Sequence, residues 1–250
     1  MKEQYDVAIA TEQEFTTDLK AQMTAFGLPC TDEQAHDFYY YYVQLIETNK
    51  SLNLTAITDM HEVVVKHIVD SLSCYDAQYI ADGATILDVG TGAGFPGIPL
   101  AIYNRTLKIT LFDSLQKRLK FLQTIIDELK LENVVTLHGR AEDMSHTDAH
   151  RESYDIVTSR AVARLPILLE WTLPYVKQNG YFISLKGAAY EEEIQESPKA
   201  LDILGGTVKE VRPISLPTID DKRAVLYIQK TKATPNKYPR KPKDIKEKPL

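Results

Sequence analysis

The sequence has little of what stabilises or anchors several classes of protein. Only two of its 250 residues are cysteines, Cys30 and Cys74, and their separation matches no metal-binding or redox motif, so a disulfide-stabilised secreted domain is not indicated. No apolar run approaches the roughly 20 residues that a membrane span needs. The N-terminal stretch is polar and acidic, unlike a signal peptide. We therefore predict a cytoplasmic protein with no membrane segment.

Positive charge is also scarce in most of the chain. The 29 Lys and Arg residues are outnumbered by 35 Asp and Glu residues, and the net charge is −6. Residues 230–250 hold eight basic and two acidic side chains, a charge of +6, so the preceding part of the chain carries −12. This asymmetry predicts a polyanionic partner that binds the basic C-terminal segment, although a solvated segment that only aids solubility is the alternative.

Three parts of the chain differ in pattern. Residues 1–80 predict an N-terminal helical extension, in which a capping box at Thr31 opens a long helix and a third helix covers Asp59–Asp76. Residues 81–230 alternate short apolar runs with helix-length segments, which is typical of a parallel sheet covered by helices. Residues 231–250 are rich in Lys and Pro with almost no apolar content, and we expect a tail without regular secondary structure.

The predicted fold class is α/β and Rossmann-like, with a mostly parallel seven-stranded sheet. The last two strands have no helix between them, so they predict an antiparallel edge hairpin. The strand candidates are Thr85–Val89, Lys108–Phe112, Val134–His138, Asp155–Ser159, Tyr181–Leu185, Thr207–Ile214 and Ala224–Gln229.

The most informative motif joins the first predicted strand to the next helix. After the apolar residues of the strand come Asp88 and then Gly90, Gly92, Gly94 and Gly97. Glycines allow a tight turn and let a ligand lie against the main chain, and a helix N-terminus favours polar or anionic groups. This turn lies at the carboxyl end of a strand, where open α/β sheets bind their ligands. We therefore predict a cofactor site here.

This glycine motif is compatible with two kinds of cofactor, a nicotinamide dinucleotide and S-adenosylmethionine. Gly92–Gly97 satisfies the dinucleotide fingerprint, and Asp113 follows where a ribose-binding acid is expected. Asp88, however, would repel a pyrophosphate, whereas it would attract the ammonium and sulfonium groups of S-adenosylmethionine. Gly90 also ends the strand before the fingerprint begins. The pattern favours a methyltransferase over an NAD(P)-dependent oxidoreductase, and an RNA-binding protein that keeps a cofactor pocket without catalysis is a further alternative.

Polar residues also follow the later strands. Asp113 is predicted to bind ribose hydroxyls, and Ala141 and Glu142 to read an adenine ring. Arg160 follows the fourth strand and Lys186 ends the fifth, so both cations can position a phosphate or a base. His67, Asp70 and Ser71 are the residue types of a hydrolase triad, but they lie in one helix with no nucleophile elbow, and their role stays open.

Together these motifs make the chain similar to the RsmG (GidB) family of bacterial ribosomal RNA methyltransferases. The resemblance runs from about residue 30 to the C-terminus. It is carried by Asn53–Ala56, Lys66–Leu72, Leu87–Pro99, Asp113–Arg118, Gly139–Glu142, Ser159–Ala163 and Lys237–Lys241. It implies a class I methyltransferase fold and S-adenosylmethionine-dependent methylation of N7 of one guanosine in small-subunit (16S) ribosomal RNA, with the RNA or the 30S subunit as partner.

Guanine N7 has a lone pair and no proton, so we predict that the enzyme needs no general base and no metal. Separately, we expect a monomer. Arg160 and Lys186 are the predicted catalytic residues, acting by positioning. The predicted RNA-binding residues are Lys237, Arg240 and Lys241. The predicted cofactor-binding residues are Asp88, Gly90, Gly92, Gly94, Phe95, Asp113, Ser114, Leu115, Ala141, Glu142 and Arg160.

Overall fold

The N-terminal extension is helical in the computed structural model, which describes residues 9–250; the first eight residues of the predicted extension lie outside the described residues. Helices α1 (Glu12–Phe26) and α2 (Asp32–Leu52) begin at capping boxes on Thr11 and Thr31. In each box the threonine hydroxyl accepts from the backbone N–H three residues later, and the side chain there accepts from the threonine N–H. The predicted capping box at Thr31 is therefore confirmed.

The third predicted helix is less regular than its sequence indicates. It comprises α3 (Met60–Val63), a π-helical turn (Val64–Val69) and α4 (Asp70–Leu72), which follow one another without a break. The expected end at Asp76 was too late, because the helix stops at Leu72. π-helical turns are rare and are found frequently at functional sites. This one carries His67 and leads directly into Asp70.

The sheet has the predicted seven strands. They are β1 (Thr85–Val89), β2 (Lys108–Asp113), β3 (Val134–His138), β4 (Tyr154–Arg160), β5 (Val176–Lys186), β6 (Gly206–Ile214) and β7 (Arg223–Lys230). Their order in the sheet is β3-β2-β1-β4-β5-β7-β6. The first five strands pair in parallel, whereas β7 is antiparallel to both of its neighbours, so the predicted mixed sheet with an edge hairpin is confirmed.

Helices cover both faces of the sheet because successive strand side chains point to opposite faces. The remaining helices are α5 (Gly97–Tyr103), α6 (Gln116–Glu128), α7 (Ala141–Met144), α8 (Leu165–Thr172), α9 (Tyr190–Gln195), α10 (Pro198–Leu204) and α11 (Pro242–Glu247). Ile86 belongs to a core that includes the extension, α5 and α6, whereas its neighbour Leu87 belongs to the opposite core, with α8 and α10. Within residues 9–250, no helix combines the length and apolarity needed to cross a bilayer.

The C-terminal segment, residues 231–250, differs from its prediction. Instead of a tail without regular structure, it lies against the domain and ends in the helix α11. Tyr238 and Ile245 are buried, with 7% and 0% of their surface exposed. The prediction was wrong because a few buried residues and specific polar contacts hold the segment, and average composition does not show them.

Candidate active site

Two cavities adjoin each other at the carboxyl edge of the parallel strands. The glycine-loop cavity, of about 370 Å³, is lined by Gly90 of the glycine turn and by the segments that follow β2, β3 and β4. The arginine cavity, of about 590 Å³, lies between β4, β5, the start of β7 and the extension. Ala161 and Val162 line both. The loop after β4 is therefore the common wall of the two cavities.

Two glycines of the turn, Gly90 and Gly97, lie where a side chain would collide with its neighbours. Gly90 has φ of +69°, and a Cβ there would lie 2.6 Å from Cγ2 of Val162. A Cβ on Gly97, at the start of α5, would lie 2.3 Å from Cδ2 of Leu111 in β2. The first glycine thus lets the turn pass under the common wall, and the second lets α5 approach the sheet.

Asp88 is fully buried beneath the turn. Its Oδ2 accepts from the Thr91 hydroxyl at 2.6 Å and from the Gly97 N–H at 3.0 Å, and its Oδ1 accepts from the Thr158 hydroxyl at 3.1 Å. Burial raises the pKa of Asp88 to about 6, although these hydrogen bonds oppose the shift. Asp88 lines neither cavity. The structure therefore shows it bracing the turn, and its direct contact with a ligand stays a prediction.

Asp113 joins the end of β2 to the glycine turn. Its Oδ2 accepts from the Gly92 N–H at 3.0 Å, and its Oδ1 accepts from the Leu115 N–H at 2.8 Å. Arg118 lies 3.3 Å from the same carboxylate. Asp113 faces the glycine-loop cavity with its side chain 4% exposed. It is thus a fixed carboxylate, held by backbone donors, at the place predicted for a ribose-binding acid.

The structure brings several of the predicted cofactor-binding residues together. Glu142 is 8% exposed and lies 3.5 Å from Arg140, and both line the glycine-loop cavity. Gly92, Gly94, Phe95 and Leu115 do not line it, and Leu115 is half exposed above α6. The predicted residues on the wall of this cavity are Gly90, Asp113, Ser114, Ala141 and Glu142.

Arg160 lies where the extension meets the sheet. Its guanidinium donates to the backbone carbonyl of Lys66 at 2.8 Å and to the carboxylate of Asp70 at 2.9 Å. It also stacks on Phe95, with 4.8 Å between its Cζ and the ring centre. Its side chain is 14% exposed. Arg160 therefore presents a rigid, nearly buried cation to the arginine cavity. It does not line the glycine-loop cavity.

His67 is held on both ring nitrogens. Nδ1 lies 3.1 Å from a guanidinium nitrogen of Arg160, which donates to it, and Nε2 lies 2.7 Å from the Thr55 hydroxyl. Burial, reinforced by the Arg160 charge, lowers the pKa of His67 to about 3. The imidazole is therefore neutral at physiological pH. The buried Ser71 hydroxyl has no hydrogen-bond partner among the described residues, so no triad forms.

Two further cations of the arginine cavity are also engaged. The Lys186 ammonium lies 2.8 Å from Glu193 and donates to the Ala163 carbonyl at 2.7 Å. Burial lowers the pKa of Lys186, and Glu193 opposes the shift. Arg223 donates to Asp70 at 2.8 Å, so one carboxylate holds both Arg160 and Arg223. Sequence reasoning missed Arg223 because an arginine beside acidic residues at a strand start resembles an exposed ion pair.

The predicted RNA-binding residues of the C-terminal segment have different surroundings. Lys237 and Lys241 are exposed. Arg240, in contrast, donates through its guanidinium to Glu170 of α8 at 2.7 Å, and that carboxylate is fully buried.

Trp171 and Lys246, which were not predicted from the sequence, also line the glycine-loop cavity. Lys246 lies in a lysine-rich stretch where no local signal sets it apart.

Solved structures share this fold. The crystal structure of M. jannaschii TYW2 in complex with AdoMet aligns with a TM-score of 0.52 at 19% identity, covering 66% of this chain and 76% of that one. A predicted O-methyltransferase from Agrobacterium tumefaciens, Atu636, aligns with a TM-score of 0.52 at 18% identity, covering 66% and 82%. At these identities the likeness establishes the methyltransferase fold alone.

Curated relatives are much more similar in sequence. The Ribosomal RNA small subunit methyltransferase G of Alkaliphilus metalliredigens is 49% identical over 232 residues, covering 93% of this chain and 97% of the relative. The protein of that name from Lactobacillus acidophilus is 44% identical over 231 residues, covering 92% and 96%. The family model described as rRNA small subunit methyltransferase G (GidB) matches residues 34–221. The chain therefore belongs to the GidB family of small-subunit ribosomal RNA methyltransferases.

Proposed function

We propose that the protein is an S-adenosylmethionine-dependent methyltransferase that methylates N7 of one guanosine in small-subunit ribosomal RNA, within the cytoplasmic 30S subunit or its precursor. The observation that carries this proposal is the pair of adjoining cavities with one common wall at Ala161 and Val162. Methyl transfer needs the donor and the acceptor side by side. The glycine-loop cavity has carboxylates that suit a cofactor, whereas the arginine cavity has cations that suit a polyanionic substrate. The names of the curated relatives agree with it.

The glycine-loop cavity fits S-adenosylmethionine. Its size lies within the ~300–1,000 Å³ usual for small-molecule sites. The Asp113 carboxylate is suited to hydroxyl donors of a ribose, and Glu142 with the adjoining backbone is suited to an adenine edge. Gly90, on the wall of this cavity, lets the turn pass close to Val162. The cofactor supplies a methyl group activated by a sulfonium, while the chain supplies orientation and shielding from water.

The arginine cavity fits a stretch of RNA. Five cations line it, Arg160, Arg164, Arg223, Lys66 and Lys186, together with the carboxylates Asp70 and Glu193. The lining itself therefore has more basic than acidic side chains, and further carboxylates outside the lining pair with Lys66, Arg164 and Arg223. Phosphates bind guanidinium and ammonium groups without regard to base sequence. We assign Arg160 and Lys186 as residues that position the RNA phosphate or guanine O6.

The proposed reaction needs the protein to position the cofactor and the base, and it needs no general base. Guanine N7 carries a lone pair and no proton, so no group has to remove one. His67, the histidine of the arginine cavity, has both ring nitrogens engaged, and its pKa of about 3 makes it a poor base. The fixed guanidinium of Arg160 can orient the base by donating to guanine O6, which is an acceptor.

A methyl-transfer assay tests the proposal. The purified protein is incubated with tritiated S-adenosylmethionine and 30S subunits from a strain that lacks its own enzyme of this family, and the modified nucleoside is located by mass mapping. We expect one 7-methylguanosine per small-subunit RNA. Arg160→Ala should lower transfer at least about tenfold, the cost of a charge-assisted contact, whereas Lys209→Ala, an exposed lysine of β6, should not.

Failure would take recognisable forms. Binding of the 30S subunit without methyl transfer would favour an RNA-binding protein that keeps a cofactor pocket. Thermal stabilisation by a nicotinamide dinucleotide and not by S-adenosylmethionine would favour an oxidoreductase. Full activity of Arg160→Ala would overturn the positioning role of that residue.

A further inference from the structure

The C-terminal segment is attached to the domain by buried and partly buried polar contacts. The Arg151 guanidinium, which lies between α7 and β4, donates to the backbone carbonyls of Thr234 at 2.8 Å and Tyr238 at 3.1 Å. The Lys230 ammonium, at the end of β7, is fully buried and donates to the Thr234 hydroxyl at 2.7 Å. Such contacts fix the path of the segment, because breaking them would leave buried donors without acceptors.

A second anchor directs the segment towards the glycine-loop cavity. Both the backbone N–H and the guanidinium of Arg240 donate to Glu170, at 2.7 Å in each case, and the Glu170 side chain is fully buried. Glu170 precedes Trp171, which lines the cavity. Five residues after Arg240, Ile245 is fully buried where α11 packs against α8. The next residue, Lys246, is part of the cavity wall.

The charge of Lys246 is available to a ligand. Arg118 and Arg140 also line the cavity, but each has a carboxylate partner there, Asp113 at 3.3 Å and Glu142 at 3.5 Å. Among residues 9–250, no carboxylate lies within ion-pair distance of Lys246. An ammonium that lacks a partner beside a cavity can donate hydrogen bonds to whatever fills it.

We infer that the C-terminal segment forms the outer wall of the cofactor site, and that Lys246 contacts the adenine end of the bound cofactor. The adenine end follows from position, because α8, which carries Trp171, packs against both α11, which carries Lys246, and α7, which begins at Ala141 and Glu142, the residues proposed to read the adenine. A ring nitrogen of adenine is an acceptor and the ammonium is a donor. The inference rests on the proposed use of S-adenosylmethionine, and it gives the C-terminal segment a role in cofactor binding beside the predicted RNA contacts of Lys237 and Lys241.

Cofactor titrations of point variants test this in the full-length protein. Trp171 is the only tryptophan of the chain, so its fluorescence reports binding in the cavity that it lines, and calorimetry provides an independent Kd. Lys246→Ala should weaken S-adenosylmethionine binding about three- to tenfold, the range of one hydrogen bond, and Lys246→Glu should weaken it further. Lys243→Ala removes the same charge from the same helix without touching the cavity, and its Kd should match wild type.

Cofactor fragments locate the contact. Methylthioadenosine keeps the adenosine part and lacks the amino acid part. If Lys246 contacts adenine, Lys246→Ala should weaken S-adenosylmethionine and methylthioadenosine by the same factor. A loss confined to S-adenosylmethionine would overturn the adenine assignment, and an unchanged Kd for both would overturn the inference as a whole. Absence of binding by the wild-type protein would instead reject the proposed cofactor.

Discussion

Asp88→Asn separates two roles of the buried carboxylate under the glycine turn. Its sequence position predicts direct attraction of the cofactor ammonium, whereas the structure shows the carboxylate accepting from Thr91, Gly97 and Thr158. An asparagine can keep all three contacts. Its carbonyl can accept from the Gly97 N–H and the Thr91 hydroxyl, while its NH₂ group donates to the Thr158 hydroxyl, since a hydroxyl can also accept.

The two roles differ in expected magnitude. If Asp88 only braces the turn, Asp88→Asn should keep the Kd for S-adenosylmethionine within about threefold, or ~0.6 kcal/mol. Loss of a charge-assisted hydrogen bond to the ligand would instead cost about 1.5–3 kcal/mol, which is about 10- to 150-fold in Kd. Asp88→Ala removes every acceptor and should cost about 2–5 kcal/mol of stability by leaving buried donors unpaired.

Calorimetric titration with S-adenosylmethionine and urea unfolding together decide between these roles. We expect Asp88→Asn to bind and to unfold almost as wild type does, and Asp88→Ala to lose both stability and affinity. A more than tenfold loss of affinity in Asp88→Asn, with an unchanged unfolding midpoint, would refute the bracing role and support direct contact with the ligand.

Two further predictions concern the same turn. The folded-state pKa of Asp88 is raised to about 6 from 3.8, so between these values Asp88 keeps its proton in the folded protein and has lost it in the unfolded chain, and its contribution to the free energy of unfolding should fall by up to about 3 kcal/mol as pH rises through them. Urea unfolding of wild type and Asp88→Asn at a series of pH values should show this fall as the difference between the two proteins; a difference that does not change with pH would contradict it. Gly97→Ala places a methyl 2.3 Å from Leu111 and should lower stability by about 1–3 kcal/mol in thermal unfolding. Gly187→Ala, where a Cβ meets nothing within 4 Å, is the control, and equal melting of both variants would argue against close packing at the turn.

The sheet could be predicted because its signals are local. Each buried strand is a short apolar run, and the absence of a helix between the last two runs indicated the hairpin that β6 and β7 form. The glycine turn was equally readable, since closely spaced glycines directly after a buried strand are typical of a tight turn beside a ligand. Local patterns of this kind need no knowledge of distant partners.

The surroundings of the charged residues could not be predicted in the same way. Arg240 lies in a stretch with the composition of a tail, yet its partner Glu170 lies 70 positions earlier in the chain and is fully buried. Asp70 and Arg223 are 153 positions apart. Whether a lysine or arginine is free for RNA or engaged by a carboxylate depends on the tertiary fold, and one sequence does not contain that information in any local pattern.

The common wall of the two cavities has an energetic consequence. Val162 lies against Gly90 and faces both cavities, and its neighbour Ala161 adopts a left-handed conformation with φ of +56°. A ligand in either cavity that shifts this loop changes the shape of the other. By thermodynamic linkage, if a bound cofactor changes the affinity for RNA by some factor, bound RNA changes the affinity for the cofactor by the same factor. The loop after β4 is thus the place where a ligand in the proposed cofactor cavity can change the affinity of the proposed RNA cavity.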